Sequence, residues 1–168
     1  MKTLYVLRHA KSSWKKEELT DRDRPLKSKG KLQADAMSDH LAALLPPPQQ
    51  VVCSPALRAR DTLKYFLELW PLPEEAVLYP ESLYLAEMDE LKEHIFSLPD
   101  DVDIAMVVGH NPGLTDLVHE WNTSDASYVK SIRTCGFVQI DFEADSWSDL
   151  SQTAGEVKLD LRPKDLKP

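Results

Sequence analysis

The stretch Leu4-Tyr5-Val6-Leu7-Arg8-His9-Ala10-Lys11 sets an apolar, partly β-branched run directly against an arginine, a histidine and a lysine. Such a run forms a buried strand, and the charged residues fall in the turn at its carboxyl end. In open α/β sheets, ligands bind at that end. A guanidinium beside an imidazole suits an anionic ligand: the first holds an oxyanion while the second attacks or passes a proton. A strand-end ion pair with a satisfied histidine would read the same way in isolation. The rest of the chain has to separate the two.

Two later strands end comparably. Gln50-Val51-Val52-Cys53 breaks at Ser54-Pro55; serine as N-cap and proline at the first helical position predict a helix start, with Arg58 one turn on. Ile104-Ala105-Met106-Val107-Val108 is continuously apolar, as expected for a strand covered on both faces, and ends at Gly109-His110-Asn111-Pro112-Gly113. Helical spacing predicts a helix from Ser28 to Leu45 with Leu32, Ala36, Leu41, Leu44 and Leu45 on its apolar face, stopped by Pro46-Pro47-Pro48. Further helices carry Leu57, Phe66, Leu69 and Trp70, then Leu91, Ile95 and Leu98, then Leu117, Val118 and Trp121. A short apolar stretch, Ala76 to Tyr79, lies between the second and third of these helices. Gly136–Phe142 and Gly155–Leu161 alternate as strands, the latter with Val157, Leu159 and Leu161 on one side, and form an antiparallel edge pair. Ser12 to Lys27 is a charged loop over the end of the first strand, with Trp14 as a packing or lid residue, and the tail from Arg162 is irregular.

The βα alternation predicts a single domain over residues 1–168: a three-layer α/β/α sandwich, its central sheet mostly parallel with an antiparallel edge. At 42% apolar and 29% charged residues the chain is globular. No stretch approaches the roughly 18 apolar residues of a membrane span. The N-terminus runs directly into a strand, which leaves no signal peptide, and two cysteines (Cys53 and Cys135) are too few for a disulfide framework or a zinc cage. A cytoplasmic monomer is expected. A net charge of −8 argues against nucleic acid and anionic membranes as partners, yet permits a locally positive pocket.

In a mostly parallel sheet, the carboxyl ends carrying Arg8-His9, Arg58 and His110 face one edge and can converge. Two arginines and two histidines repel one another unless an anion lies between them. Phosphate matches the guanidinium forks, and the predicted helix starts add positive dipole ends.

Leu7-Arg8-His9-Ala10, Ser54-Pro55-Ala56-Leu57-Arg58-Ala59-Arg60-Asp61-Thr62 and Val108-Gly109-His110-Asn111-Pro112 together resemble the histidine phosphatase superfamily. Asp23-Arg24-Pro25-Leu26 followed by Gly30, and Leu83-Tyr84, resemble its small SixA-type phosphohistidine phosphatases. The resemblance runs from Thr3 to about Phe142. It implies a phosphoglycerate mutase-like fold and a metal-independent, cofactor-free phosphatase. His9 would attack phosphorus and carry a phosphohistidine intermediate, while Arg8, Arg58 and His110 bind the phosphoryl oxygens. Arg24, Lys11 and Asn111 are candidate further substrate contacts; for Arg24 a loop salt bridge with Asp21 or Asp23 is the alternative. The superfamily's usual Arg-His-Gly is Arg-His-Ala here, so no positive φ is expected at Ala10. Larger relatives use a glutamate to protonate an alkoxide leaving group. Glu81 and Glu87 are the candidates, against local pairing or capping for Glu81 and surface charge for Glu87. From a phosphoramidate substrate an imidazole leaves far more easily than an alkoxide and needs such an acid less, which favours phosphohistidine on a protein over a sugar phosphate, with a small phosphate ester as the alternative. A non-catalytic phosphate-binding module is the remaining class.

A cysteine-dependent phosphatase fails on register, because its chemistry requires five residues between cysteine and arginine and Cys53 and Arg58 are separated by four. Cys53 reads as a small buried residue. His40, His94 and His119 fall on predicted helices without partners at ligand spacing, and Asp61 and Thr62 complete the helix start near Arg58.

Overall fold

The fold is described by a computed structural model covering residues 1–16, 18–122 and 129–166. The polar loop after the last helix and the extreme tail lie partly outside these residues. β1 (Lys2–Arg8) follows the opening stretch and pairs in parallel with β4 (Ile104–Gly109), Arg8 opposite Gly109. β4 pairs in parallel with β2 (Gln50–Cys53), and β2 with the two-residue β3 (Val77–Leu78). On its other side β1 pairs antiparallel with β5 (Phe137–Phe142), and β5 with β6 (Gly155–Leu161). The sheet order β3-β2-β4-β1-β5-β6 is the predicted parallel centre with an antiparallel edge.

Period-two alternation along β1 divides the core. Leu4 and Val6 face α3 (Met88–Phe96) and α4 (Gly113–Trp121) with Leu91, Ile95, Leu117 and Trp121. Tyr5 and Leu7 face α1 (Ser28–Leu44) and α2 (Leu57–Leu69) with Met37, Leu41, Leu63 and Phe66. These are the three layers. Lys2 is buried where β1 begins, its ammonium donating to the carbonyls of Asp100 and Val102 and pairing with Asp103.

Three expectations are corrected. The buried face of α1 is Gly30, Ala34, Met37, Ser38 and Leu41; Leu32 and Leu44 are exposed, as is Ala36. At the start of that face only glycine fits, because a Cβ on Gly30 would lie 2.0 Å from the Lys11 carbonyl oxygen. Leu69 of α2 likewise faces solvent. Secondly, α2 begins at Leu57, not at Pro55: Ser54 N–H donates to Val108 of β4, and its hydroxyl meets His110 (2.7 Å) while accepting from Ala56 N–H (3.2 Å) ahead of the helix. Thirdly, Val157, Leu159 and Leu161 do not share one core. A register shift in β6 opposite Gln139/Ile140 sends Val157 to the α3/α4 side and Leu159 and Leu161 to the α1/α2 side.

The Gly30–Lys11 approach couples core packing to the site loop, since the same Lys11 carbonyl accepts from Lys27 N–H at 2.9 Å. Gly30→Ala is therefore expected to destabilise by about 1–3 kcal/mol, despite the better helix propensity of alanine. Urea unfolding of the two proteins side by side measures this.

Candidate active site

Strand ends set the site. His9 leaves β1 with its N–H donating to Gly109 O (3.3 Å) and its carbonyl accepting from Cys135 N–H (2.9 Å), so β4 and the 135 turn fix it from both sides. Ala10 N–H donates to the Thr62 hydroxyl (2.9 Å), which donates to the Arg58 carbonyl (2.7 Å). Thr62 thus ties α2 to the turn that carries His9. Ala10 is fully buried and has no positive φ. Leu85 does, at 51°, on the cleft wall, where a left-handed leucine stores backbone strain.

Arg8, His9, Arg24, Arg58 and His110 line one cleft of about 440 Å³, with Lys11, Asn111 and Trp14. His9, Arg24, Arg58 and His110 are each less than 10% exposed. Convergence is as the sheet predicts. Arg58 donates through Nη1 to the Asp21 carbonyl (2.7 Å) and through Nη2 to the Asp21 carboxylate (3.1 Å). Arg24 donates from Nε to the same carboxylate (3.2 Å) and from Nη1 to the Ser12 hydroxyl (2.8 Å), its guanidinium 3.4 Å above the exposed Trp14 ring. Arg24 thus combines the two readings, cleft wall and ion pair, and the partner is Asp21. Arg8 donates to the Ile132 carbonyl (3.1 Å). The Nε–H groups of Arg8 and Arg58 are buried with no acceptor among the described residues. An orphaned N–H of this kind costs about 1–3 kcal/mol, which an anionic oxygen in the cleft would recover.

The two imidazoles are neutral, and their tautomers follow from their neighbours. A carbonyl only accepts, so His9 Nδ1–H donates to Ala10 O (2.8 Å) and Nε2 keeps its lone pair. A guanidinium only donates, so His110 Nδ1, 3.5 Å from Arg58 Nη2, is the acceptor, and Nε2–H donates to the Ser54 hydroxyl (2.7 Å). Burial pushes His9 down to about 4, helped by Arg58, Arg8 and Arg24 against the opposing Ala10 bond. Burial, then His9 and Arg58, push His110 to about 3.

The remaining candidates separate. Asn111 spends its amide on structure, donating to Ile132 O (2.8 Å) and accepting from the Thr115 hydroxyl (2.8 Å). Lys11 lies exposed on the cleft wall. Glu81 stands outside the cleft lining in a bidentate pair with Arg22 (2.5 and 2.6 Å), which holds its carboxyl below the usual range and favours an acceptor over a proton donor. Glu87 is the exposed residue preceding α3, also outside the cleft. Cys53 is buried and its thiol pushed above the usual range by burial. Among the described residues no three of His, Cys, Asp and Glu gather as a metal-ligand group.

Sequence reasoning reached Asp21 only as a possible partner of Arg24, and it missed Ser54 as the partner of His110 and the backbone of Leu85. Among the described residues Asp21 is the one carboxylate lining the cleft, shared by Arg58, Arg24 and the Tyr84 hydroxyl. Partial burial would raise its carboxyl, but Tyr84 and the two guanidiniums outweigh this and hold it low. Its position three before Arg24 was the available signal. Ser54 reads as a cap and proves to be the His110 partner, while Leu85 carries no signal for its backbone.

The model of the histidine phosphatase superfamily (branch 1) matches residues 4–79. An uncharacterized chloroplastic protein of Arabidopsis thaliana is 32% identical over 161 residues, 90% of this chain and 72% of that protein. This chain belongs to the histidine phosphatase superfamily. This histidine phosphatase is also 33% identical to an uncharacterized Mycobacterium leprae protein over 112 residues, spanning 65% of the chain and 66% of the relative. Its fold matches a candidate phosphohistidine phosphatase SixA from Nakamurella multipartitia with TM-score 0.81 and 27% identity, covering 96% of each chain. A protein histidine phosphatase SixA solved with tungstate gives TM-score 0.82 at 20% identity, over 98% of this chain and 99% of the other. The fold is thus phosphoglycerate mutase-like and of SixA type, and the family supports phosphatase activity.

Both histidines resist protonation in the folded chain, while in the unfolded chain they take up protons near the ordinary value of 6.5. Stability from this source is fully present above pH 6.5 and is lost as pH falls toward about 4 and then 3. The urea midpoint is expected to drop between pH 7 and pH 5, and to drop less in His9→Ala/His110→Ala.

Proposed function

We propose that this chain is a metal-independent phosphatase that takes the phosphoryl group from phosphohistidine on a protein, with His9 as nucleophile. The reading is carried by His9: a buried neutral imidazole whose Nδ1–H is occupied by Ala10 O, leaving the Nε2 lone pair among Arg8, Arg24 and Arg58. Low basicity here is not a handicap, because a neutral ring needs no deprotonation before it attacks.

In the first step the Nε2 lone pair forms a bond to phosphorus as the phosphorus bond to the leaving imidazole breaks. The departing nitrogen takes its proton from water in the open cleft. Charge on the three transferred oxygens meets the guanidiniums of Arg8 and Arg58, whose buried Nε–H groups lack acceptors. In the second step water attacks phosphorus, the phosphorus–His9 bond breaks, and phosphate leaves with the Nε2 lone pair restored. His110 donates to the phosphoryl group only on gaining a second proton, since Nδ1 is its acceptor in the free site. A dianion nearby favours that uptake. Guanidiniums thus supply the positive charge that a metal supplies elsewhere.

Substrate class follows from acid chemistry. Asp21, the one cleft carboxylate among the described residues, is ionised and held by three donors, and Glu81 is locked to Arg22. An alkoxide leaving group requires a strong proton donor, and an imidazole does not. This supports a phosphoramidate over a sugar phosphate.

Phosphate release is to be measured in excess chelator from a histidine-phosphorylated carrier protein, an aryl phosphate and a sugar phosphate. The carrier and the aryl phosphate are expected to react and the sugar phosphate to lag far behind. His9→Ala abolishes release, and Arg8→Ala or Arg58→Ala lowers the rate by about 10²–10³. Reaction with small esters alone would move the function to metabolite phosphatase.

A further inference from the structure

The cleft continues past Thr134. That residue also lines an adjoining hollow of about 440 Å³ with Lys29, Gln33, Arg133, Arg162 and Lys164. A second link is direct: Lys11 on the cleft wall donates its N–H to Gln33 Oε1 (3.2 Å). A third is electrostatic, since Arg133 is close enough to add to burial in depressing the Arg8 guanidinium.

Among the described residues no carboxylate lines this hollow. Lys29, Arg133 and Lys164 are exposed and form no ion pair among the described residues. Arg162 is partly neutralised by Asp165 (3.1 Å). Such a shelf is out of keeping with the chain as a whole. Residues 8–31 hold nine Lys and Arg against four Asp and Glu, a net +5 in a protein whose total is −8. Positive charge is concentrated on the loop and helix start beside His9 and leaves the remainder strongly acidic.

A single phosphomonoester is satisfied inside the cleft and has nothing to place on the shelf. Only a substrate broad enough to cover both uses it, and it must be negative there. We propose that Lys29, Arg133, Arg162 and Lys164 form a docking surface for the acidic face of the protein that carries the phosphohistidine. This rests on the phosphohistidine reading and adds the chemistry of the partner. Charges of this kind raise the rate of productive encounter and exclude basic carriers, and they act within a Debye length of about 8 Å at physiological salt.

The test uses two synthetic peptides with one histidine, flanked by four aspartates in one and four asparagines in the other, both phosphorylated on histidine with phosphoramidate. Intact protein is expected to show about tenfold higher kcat/KM for the aspartate peptide at low salt, an advantage lost in 0.5 M salt (roughly a 4 Å Debye length). Lys29→Glu/Lys164→Glu removes that preference while keeping aryl-phosphate turnover, which also certifies its folding. Equal turnover of the two peptides, or a preference that survives in the variant, overturns the docking surface and leaves the phosphohistidine reading standing. If neither peptide reacts while aryl phosphate does, the phosphohistidine reading falls and takes the protein partner with it. Stronger inhibition of aryl-phosphate hydrolysis by a short RNA than by the unphosphorylated aspartate peptide would reassign the shelf to nucleic acid and overturn the proposal.

Discussion

Among the described residues, three guanidiniums and two imidazoles share one edge of the sheet with a single carboxylate, and the local structure is arranged around that imbalance. Asp21 answers Arg58 and Arg24 together and draws in Tyr84, so the loop after β1 is held across the strand ends. One carboxylate cannot neutralise three arginines in a partly dry cleft. Burial first, and these guanidiniums second, keep the histidines neutral, and two guanidinium N–H groups have no acceptor among the described residues. The surplus is the feature on which the proposed anion site rests, and it exists because neighbouring elements hold the cations in place. Thr62 binds α2 to Ala10, Ser54 orients His110, and Ile132 accepts from Arg8 and Asn111.

The same order of strands explains how a chain with net charge −8 concentrates positive charge. β1 and β4 are adjacent and parallel, with β2 next, so the residues following all three emerge together. Core packing on either side of β1 sets the edge rigidly, and the tight Gly30–Lys11 approach brings α1 against the turn that follows His9. Function here is a property of strand ends more than of any one loop.

Much of this could be read from residues. A run such as Leu4 to Leu7 followed by Arg8-His9 predicts a strand end with charge, and the ends before Arg58 and His110 repeat it. Parallel strands then make convergence a consequence. What escaped was tertiary. Leucines at helical spacing on α1 suggested a leucine face, but the Lys11 carbonyl leaves room only for glycine at position 30, and Ala34 and Met37 continue the buried face. Ser54-Pro55 has the form of a helix start, yet the hydroxyl's better partner is His110, 56 residues away. The register shift in β6 divides a regular alternation between two cores. Asp21 is an ordinary loop aspartate until the fold sets it beside Arg58, 37 residues on.

The central claim is that His9 carries the phosphoryl group on the nitrogen that Ala10 leaves free. It is tested most directly by mixing the protein with excess phosphorylated substrate, quenching into alkali within milliseconds, and mapping the phosphorylated residue by mass spectrometry. An alkali-stable, acid-labile phosphate on the peptide containing His9, bound through Nε2, is the predicted result. A turnover-competent protein that never shows phosphate on His9, or shows it on His110, would contradict the account.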